Sequence, residues 1–377
     1  MKKFSQFIHW LYCLDESHRN KGIEGLRALA VLMVFNTHAL SYFYFNNFFI
    51  ENNPFLLALF KFFQSGHFGV DVFFVISGYL IYKTTIKSDP SFFQYFRRRF
   101  MRLMPADLVV LAYVIPSGFL LINLIENVFF LPSFIRNIPS YNFVTWSLGW
   151  EWLFYLSFFI LFKILKASSS KYFILSIFLF ILALFLLTCP DLPVAPLLRD
   201  KYDIPIPGRF FGFFIGALIA RLAISTSYIN LWKRISLVSI LGLIGFIFWI
   251  WVYSVYREMP QFNSYLNLNL YFLILDLLVG MVILGLVFTA RETLVSRLFS
   301  FTLFRILGQI SYSFYLVHAA IGVPLAIHFI NVKSLNELFL FYSISFLISF
   351  AISTALFLGF ERPFLAKPLS FIHQPKA

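Results

Sequence analysis

Two ionisable residues interrupt an apolar run: Arg27 and His38, eleven positions apart within Glu24–Ala39. In one helix they lie about 16 Å apart along the axis. If that helix crosses a membrane they sit at different depths, where ionisable groups are costly enough to mark functional positions. Three further runs carry such groups at comparable depth: Asp71 in Gly69–Phe74, Glu151 in Trp146–Trp152, and His318 in Ser311–His318. A carboxylate beside a histidine fixes its tautomer and stabilises its imidazolium, which makes a general base. His38 with Asp71 would suit removal of a proton from a hydroxyl that attacks a thioester. Trp146 and Ser147 lie at the same end as Glu151.

A second constellation is basic. Arg97, Arg98, Arg99 and Arg102 precede Pro105 in an aromatic segment that predicts an amphipathic helix over 90–102. Arg99 and Arg102, at i and i+3, share a face. Such a fork suits phosphate oxygens, which arginine grips bidentately. Glu361, in Glu361-Arg362-Pro363, is set either to orient one of these arginines or to end its helix before the proline.

Plainer roles compete at each position. Arg27 can snorkel to the interface, and His38 and His318 can be neutral interhelical hydrogen-bonders. Asp71 and Ser147 can cap helices, and Glu151 can sit in a first turn that its dipole favours. Trp146, Trp150 and Trp152 can anchor an aromatic belt. The arginines can simply bind anionic headgroups.

Membrane-spanning elements must position all of these. Of 377 residues, 60% are hydrophobic and 12% charged, with 53 Phe; soluble domains carry about 25% charged residues. The composition specifies an all-α, polytopic membrane protein. Ten spans of near-membrane length are predicted, at 24–45, 68–86, 105–125, 147–166, 172–190, 208–225, 232–255, 269–290, 306–331 and 337–361. Residues 54–66 read as a re-entrant or interfacial piece. Alternate loops and both chain ends hold most of the 30 Lys and Arg, leaving Lys61, Arg136, Arg199, Lys201, Arg209, Arg257 and Lys333 on the other side. The positive-inside rule then predicts cytoplasmic termini. The expected layout is a cytoplasmic segment 1–22, a transmembrane domain 23–363 and a cytoplasmic tail 364–377.

The first apolar span acts as the membrane-entry signal, with no cleavable leader ahead of it. Cys13 and Cys189 fall on opposite sides, so no disulfide is expected between them. The net charge of +13 is distributed for membrane ends and an anionic ligand rather than nucleic acid. The spans contain no His-x3-His or cysteine pair, so no metal site is expected.

Several stretches together resemble one family, the membrane acyltransferase-3 proteins, which O-acylate bacterial surface polysaccharides and related glycans. Arg27-x10-His38 resembles that family's Arg/Lys-x10-His signature. Gly69-Val70-Asp71-Val72-Phe73-Phe74 resembles its Gly-Val-Asp-x-Phe-Phe segment, and Arg99-Phe100-Met101-Arg102 its Arg-x-x-Arg region. Trp146-Ser147-Leu148-Gly149-Trp150-Glu151 resembles its Trp-Ser-Leu-x-x-Glu segment. Ser311–His318 and Glu361-Arg362-Pro363 fit its last two segments. Val317, where the family often has Trp, and Trp150, where it often has a small or aliphatic residue, depart from the pattern.

The resemblance implies a ten-helix fold in the bacterial cytoplasmic (inner) membrane with an acyl-CoA donor, acetyl-CoA by default. By that resemblance His38 would be catalytic, Arg27 would support it, and Arg99 and Arg102 would contact the donor; the depth and charge reading adds Asp71 and Glu151 to the catalytic group and Arg27 and Arg98 to the donor site. Trp146, Ser147, Tyr312 and His318 would face the acceptor, a glycan such as O-antigen (lipopolysaccharide), capsule or exopolysaccharide. The competing readings are a multi-pass transporter or flippase of a glycan or lipid-linked precursor, and a lipid-binding sensor.

Overall fold

The helices expose many large apolar side chains, and a largely apolar interior also holds buried polar ones such as Asp71, Asp107, Arg305 and Glu361. The computed structural model describes residues 2–14, 19–44, 53–115, 121–135, 138–165, 206–224, 232–259, 264–288 and 293–365, with single helical positions at 172, 178–179 and 182. Every regular element among the described residues is helical. Helices α1 (Lys2–Leu11), α2 (Lys21–Tyr44), α3 (Pro54–Gln64), α4 (Gly69–Ser88), α5 (Phe92–Val114) and α6 (Leu121–Val128) form the first half. They are followed by α7 (Trp146–Leu165), α8 (Ile206–Ile224), α9 (Trp232–Tyr256) and α10 (Tyr265–Phe288). The remainder are α11 (Leu294–Phe299), α12 (Thr302–Gln309), α13 (Ser311–Val317), α14 (Val323–Phe329), α15 (Leu335–Leu356) and α16 (Arg362–Leu365).

On α9, Leu237, Leu241, Ile244, Phe248, Trp251 and Val255 form an exposed stripe at helical spacing, suited to lipid. On α15, Ser345, Ser349 and Ser353 point inward and are fully buried. Small residues also let backbones approach, which is how helices associate where lipid removes the hydrophobic drive. The crossing of α4 and α8 depends on this: a Cβ at Gly78 would stand 1.9 Å from the Phe213 carbonyl oxygen, and one at Gly216 2.0 Å from that of Val75. Helix α2 is central, packed against α4, α11, α12 and α13, with Ala28, Ala30, Val31, Phe35 and Ala39 wholly buried.

Among the described residues, six helical stretches are long and apolar enough to cross a membrane: Lys21–Ser41, Pro54–Ser88, Ile235–Tyr256, Leu266–Phe288, Ser311–Phe329 and Leu335–Phe364. The protein is a multi-pass membrane protein. Helices α7 and α8 stand at the expected fourth and sixth spans. The expected fifth span, the tail 364–377 beyond Leu365, and Cys189 lie outside the described residues.

Two local expectations are corrected, and the piece at 54–66 is placed. The piece at 54–66 leads through a 3₁₀ turn, Ser65–Phe68, directly into α4. The basic helix and the third span are one element: α5 opens on a reciprocal Ser91–Gln94 capping box, runs through Pro105 and stops at Val114, with α6 separate. The last two spans are interrupted by π turns, His318–Gly322 and Phe357–Glu361, closed by Val323 N–H to His318 O and Arg362 N–H to Phe357 O. In each a proline stands two residues after the turn, Pro324 or Pro363. A proline has no N–H for the carbonyl four residues back and crowds it; widening the turn accommodates both. The chain therefore stays helical through Pro363 instead of ending at Glu361.

Candidate active site

Two cavities meet at the arginines. The first, with about 1220 Å³ of empty volume, is lined by Arg19, Lys83, Lys87, Arg99, Arg102, Arg27, Glu24, Gln309 and Glu361, among others. It shares Arg27, Leu80, Arg99 and Arg102 with an inner chamber of about 730 Å³. The chamber is otherwise lined by apolar α4 residues and by Ser77, Ser147, Glu151, Tyr155, Ser311, Tyr312 and Tyr315. Five of the basic residues assigned by charge alternation to one side, Arg19, Lys83, Lys87, Arg99 and Arg102, thus line a single mouth together with Arg27 of α2.

A buried network shapes that mouth. Arg305 Nε on α12 pairs with Glu24 Oε2 at 2.7 Å, and Gln309 Nε2 donates to Glu24 Oε1 at 2.6 Å. Arg305 also donates to the Leu14 carbonyl, and Arg19 to Gln309 Oε1. This ties the segment before α2 to the mouth. Glu361, at the end of its π turn and buried, accepts from Ser313 Oγ at 2.8 Å and has Arg27 and Arg102 as electrostatic neighbours.

Arg99 lies between two rings, its guanidinium 5.7 Å from Tyr95 and 5.6 Å from Tyr155, and donates to Thr84 Oγ1 at 3.2 Å. Arg98 differs from its neighbours: it is exposed, donates to Ser88 Oγ at 3.1 Å, and lines neither cavity.

Glu151 faces the chamber, not the histidines. It accepts from Ser77 Oγ at 2.7 Å and from Tyr155, one turn along α7. Tyr312 donates to the Leu103 carbonyl at 2.8 Å. Ser147 lies 2.8 Å from the Tyr315 hydroxyl, which donates to the Val144 carbonyl; Ser147 is therefore the donor of that pair. Trp146 is not among the chamber's lining residues. Trp150 is buried edge-on against Phe134, and Trp152 stacks on Phe96, so Trp150 is a packing residue rather than a belt anchor.

The histidines meet one layer beyond. His38 Nδ1 is 2.8 Å from His318 Nε2, and His318 Nδ1 is 3.0 Å from the Phe314 carbonyl oxygen. The Tyr315 ring, which lines the chamber, is 5.9 Å from the His318 ring. Phe143 packs edge-on against His38 at 5.2 Å. Asp71 is not the partner of His38: the ionisable groups acting on His38 are His318 and His67. Asp71 is buried in the first turn of α4 with Tyr271 of α10 as an electrostatic neighbour, and no side chain caps that helix.

Ser77, Tyr155, Tyr315 and the Glu24–Arg305–Gln309 network were not singled out from the sequence. Tyr155 could have been found as the residue one turn from Glu151, and Tyr315 as a polar ring inside Ser311–His318. Arg305 carried no such signal.

An all-helical membrane bundle with a cationic mouth, a chamber and a buried histidine pair has the parts of a group-transfer enzyme that takes an anionic donor. The acyltransferase-3 family profile, described as an acyltransferase domain, matches residues 20–358, and the chain belongs to that family. It is an acyltransferase, which sets aside the transporter reading. Over 35% of its length it is 31% identical to the peptidoglycan O-acetyltransferase OatA of Listeria monocytogenes serovar 1/2a. The match spans 143 residues and 18% of that relative, so the chain covers less than a fifth of its length. No solved structure matches the chain.

Proposed function

We propose that this protein is an O-acyltransferase of the bacterial cytoplasmic membrane, with both termini cytoplasmic. It moves an acyl group, acetyl by default, from cytoplasmic acyl-CoA to a hydroxyl of an envelope or exported glycan. What carries the reading is the adjacency of the parts: a mouth lined by Arg19, Lys83, Lys87, Arg99 and Arg102 shares Arg27 with a chamber whose Tyr315 ring lies 5.9 Å from that of His318, the partner of His38. Donor phosphates would sit at the mouth, where guanidinium groups offer charge-assisted hydrogen bonds. The pantetheine arm would enter the chamber with its thioester towards the histidines.

In the reaction, the acceptor hydroxyl forms a new C–O bond at the thioester carbonyl while His38 takes its proton. The C–S bond then breaks, the ester leaves, and the imidazolium returns the proton to the thiolate, giving free CoA. Chamber groups act on position: Glu151, held by Ser77 and Tyr155, sets the wall beside the donor, and Ser147 and Tyr312 border the acyl end. Trp146 and Asp71 stand outside this path in the present reading. The name of the Listeria relative adds peptidoglycan to the candidate acceptors.

The test is label transfer from radiolabelled acetyl-CoA to envelope polysaccharide in membranes carrying the protein or its His38→Ala variant. Transfer that requires His38 supports the reading; transfer that persists in the variant overturns His38 as the base.

A further inference from the structure

The direction of the hydrogen bonds around His38 can be deduced from one fixed point. A backbone carbonyl oxygen only accepts. The Phe314 carbonyl, 3.0 Å from His318 Nδ1, therefore requires the proton of neutral His318 on Nδ1. That leaves a lone pair on His318 Nε2. His38 Nδ1, 2.8 Å away, must then be the donor, which leaves the lone pair of neutral His38 on Nε2. Two rings and one carbonyl thus form a one-way chain whose open end is a base.

We infer that His318 is the positioning residue of His38: it fixes the tautomer and ring orientation that expose His38 Nε2 as the base, the role the sequence suggested for a carboxylate. The inference rests on the proposed general-base role of His38. When His38 accepts the acceptor's proton, its Nδ1–H bond to His318 becomes charge-assisted and strengthens, so no second acid is needed.

The surroundings support this. His318 is wholly buried. Its ring stacks on Phe314 at 6.0 Å, with Phe35 at 6.3 Å and Tyr315 at 5.9 Å, which resists ring flips that would exchange the two nitrogens. It opens the π turn whose Val323 N–H closes on its own carbonyl, and π turns recur at functional sites. The ionisable groups acting on His38 are His318 itself and His67, from the turn before α4; among the described residues no carboxylate takes the orienting place.

Two experiments decide it. In the first, His318→Gln and His318→Leu are compared by steady-state acyl transfer. The glutamine oxygen can accept where Nε2 did; leucine cannot. The expectation is that Leu lowers kcat by about 10²- to 10³-fold, within the range for loss of a working general base, with KM for acyl-CoA unchanged, while Gln restores most of the rate. Equal rates in Gln and Leu would overturn the positioning role. In the second, ¹⁵N NMR of histidine-labelled wild-type protein in lipid reads the tautomers without any substitution at 318. The signals absent from a His38→Ala sample identify His38. A protonated Nδ1 and bare Nε2 are expected; a protonated Nε2 overturns the inference even if His318→Leu fails to fold. Full activity in His38→Ala would instead remove the base assignment, and the NMR result would still decide the hydrogen-bond direction. An inactive His38→Ala with an active His318→Leu removes only the positioning role.

Discussion

The arginine mouth and the histidine pair are two ways of placing ionisable groups in a membrane protein. At the mouth, charges come from α2, α4 and α5 and from the segment ahead of α2, around a cavity of about 1220 Å³. Several cations share one task there: Lys83 and Arg99 lie against rings and hydroxyls, and Arg27 and Arg102 have Glu361 as an electrostatic neighbour. At the pair, two rings and one carbonyl are enclosed by Phe35, Phe143, Phe314 and Tyr315. Recognition of a polyanion can be divided among many donors, because each bond adds affinity. Proton transfer cannot be divided, because one lone pair must be in one place.

The widest break in this comparison is His38→Ala. Acyl transfer is expected to vanish while the variant keeps wild-type thermal stability in detergent. Next is Glu24→Ala. Its partner Arg305 is buried on the far side of a 2.7 Å ion pair, and removing one member of such a pair costs about 3–5 kcal/mol. Thermal unfolding should move well down, whereas any loss of transfer should track the loss of folded protein.

The mouth should yield by degrees. Arg99→Ala and Arg102→Ala are each expected to raise KM for acyl-CoA about tenfold or more, the scale of a lost charge-assisted hydrogen bond, and to leave acceptor dependence alone. Arg98→Ala, on a side chain bonded to Ser88 outside the cavities, should leave KM unchanged; an equal rise would return Arg98 to the donor site.

The smallest effect is expected at the exposed pair Lys61–Glu258, 2.9 Å apart with side chains 22% and 59% exposed. The hydrogen bond and charge of Lys61 hold the Glu258 carboxyl below its usual range. A depressed carboxylate contributes stability above its unfolded pKa, which is lost as pH falls through its folded value. Lys61→Met should therefore cost less than about 1 kcal/mol near neutrality, and the difference from wild type should close at acid pH.

The membrane class was readable because lipid demands long apolar helices, and the arginine mouth because charge alternation sorts side chains by depth. The partner of His38 was not readable. Asp71 and His318 stand at similar depth on different helices, and depth carries no information about helix rotation. For the same reason Glu151 was grouped with His38, although α7 turns it towards Ser77 and the chamber. The basic helix and third span were divided at the change from charged to apolar residues, whereas the Ser91–Gln94 box and the helical continuation past Pro105 make them one rod. Pro324 and Pro363 were visible signals of irregular backbone; that each would produce a π turn beside a site residue depends on the packing around it.

Those two turns also set the rotational phase of the helices that leave them. Each holds one more residue than an α turn, and one residue is about 100° of helical rotation. If the same residues wound as α, α14 would swing by about that angle relative to the fixed histidine. Gly322, where a Cβ would already meet Ser349 Oγ at 1.9 Å, would then leave the face it presents to α15. The extra residue works as a gear offset: it lets one continuous span present His318 to α2 below and Gly322 to α15 above, two directions an unbroken α-helix would bring out of step.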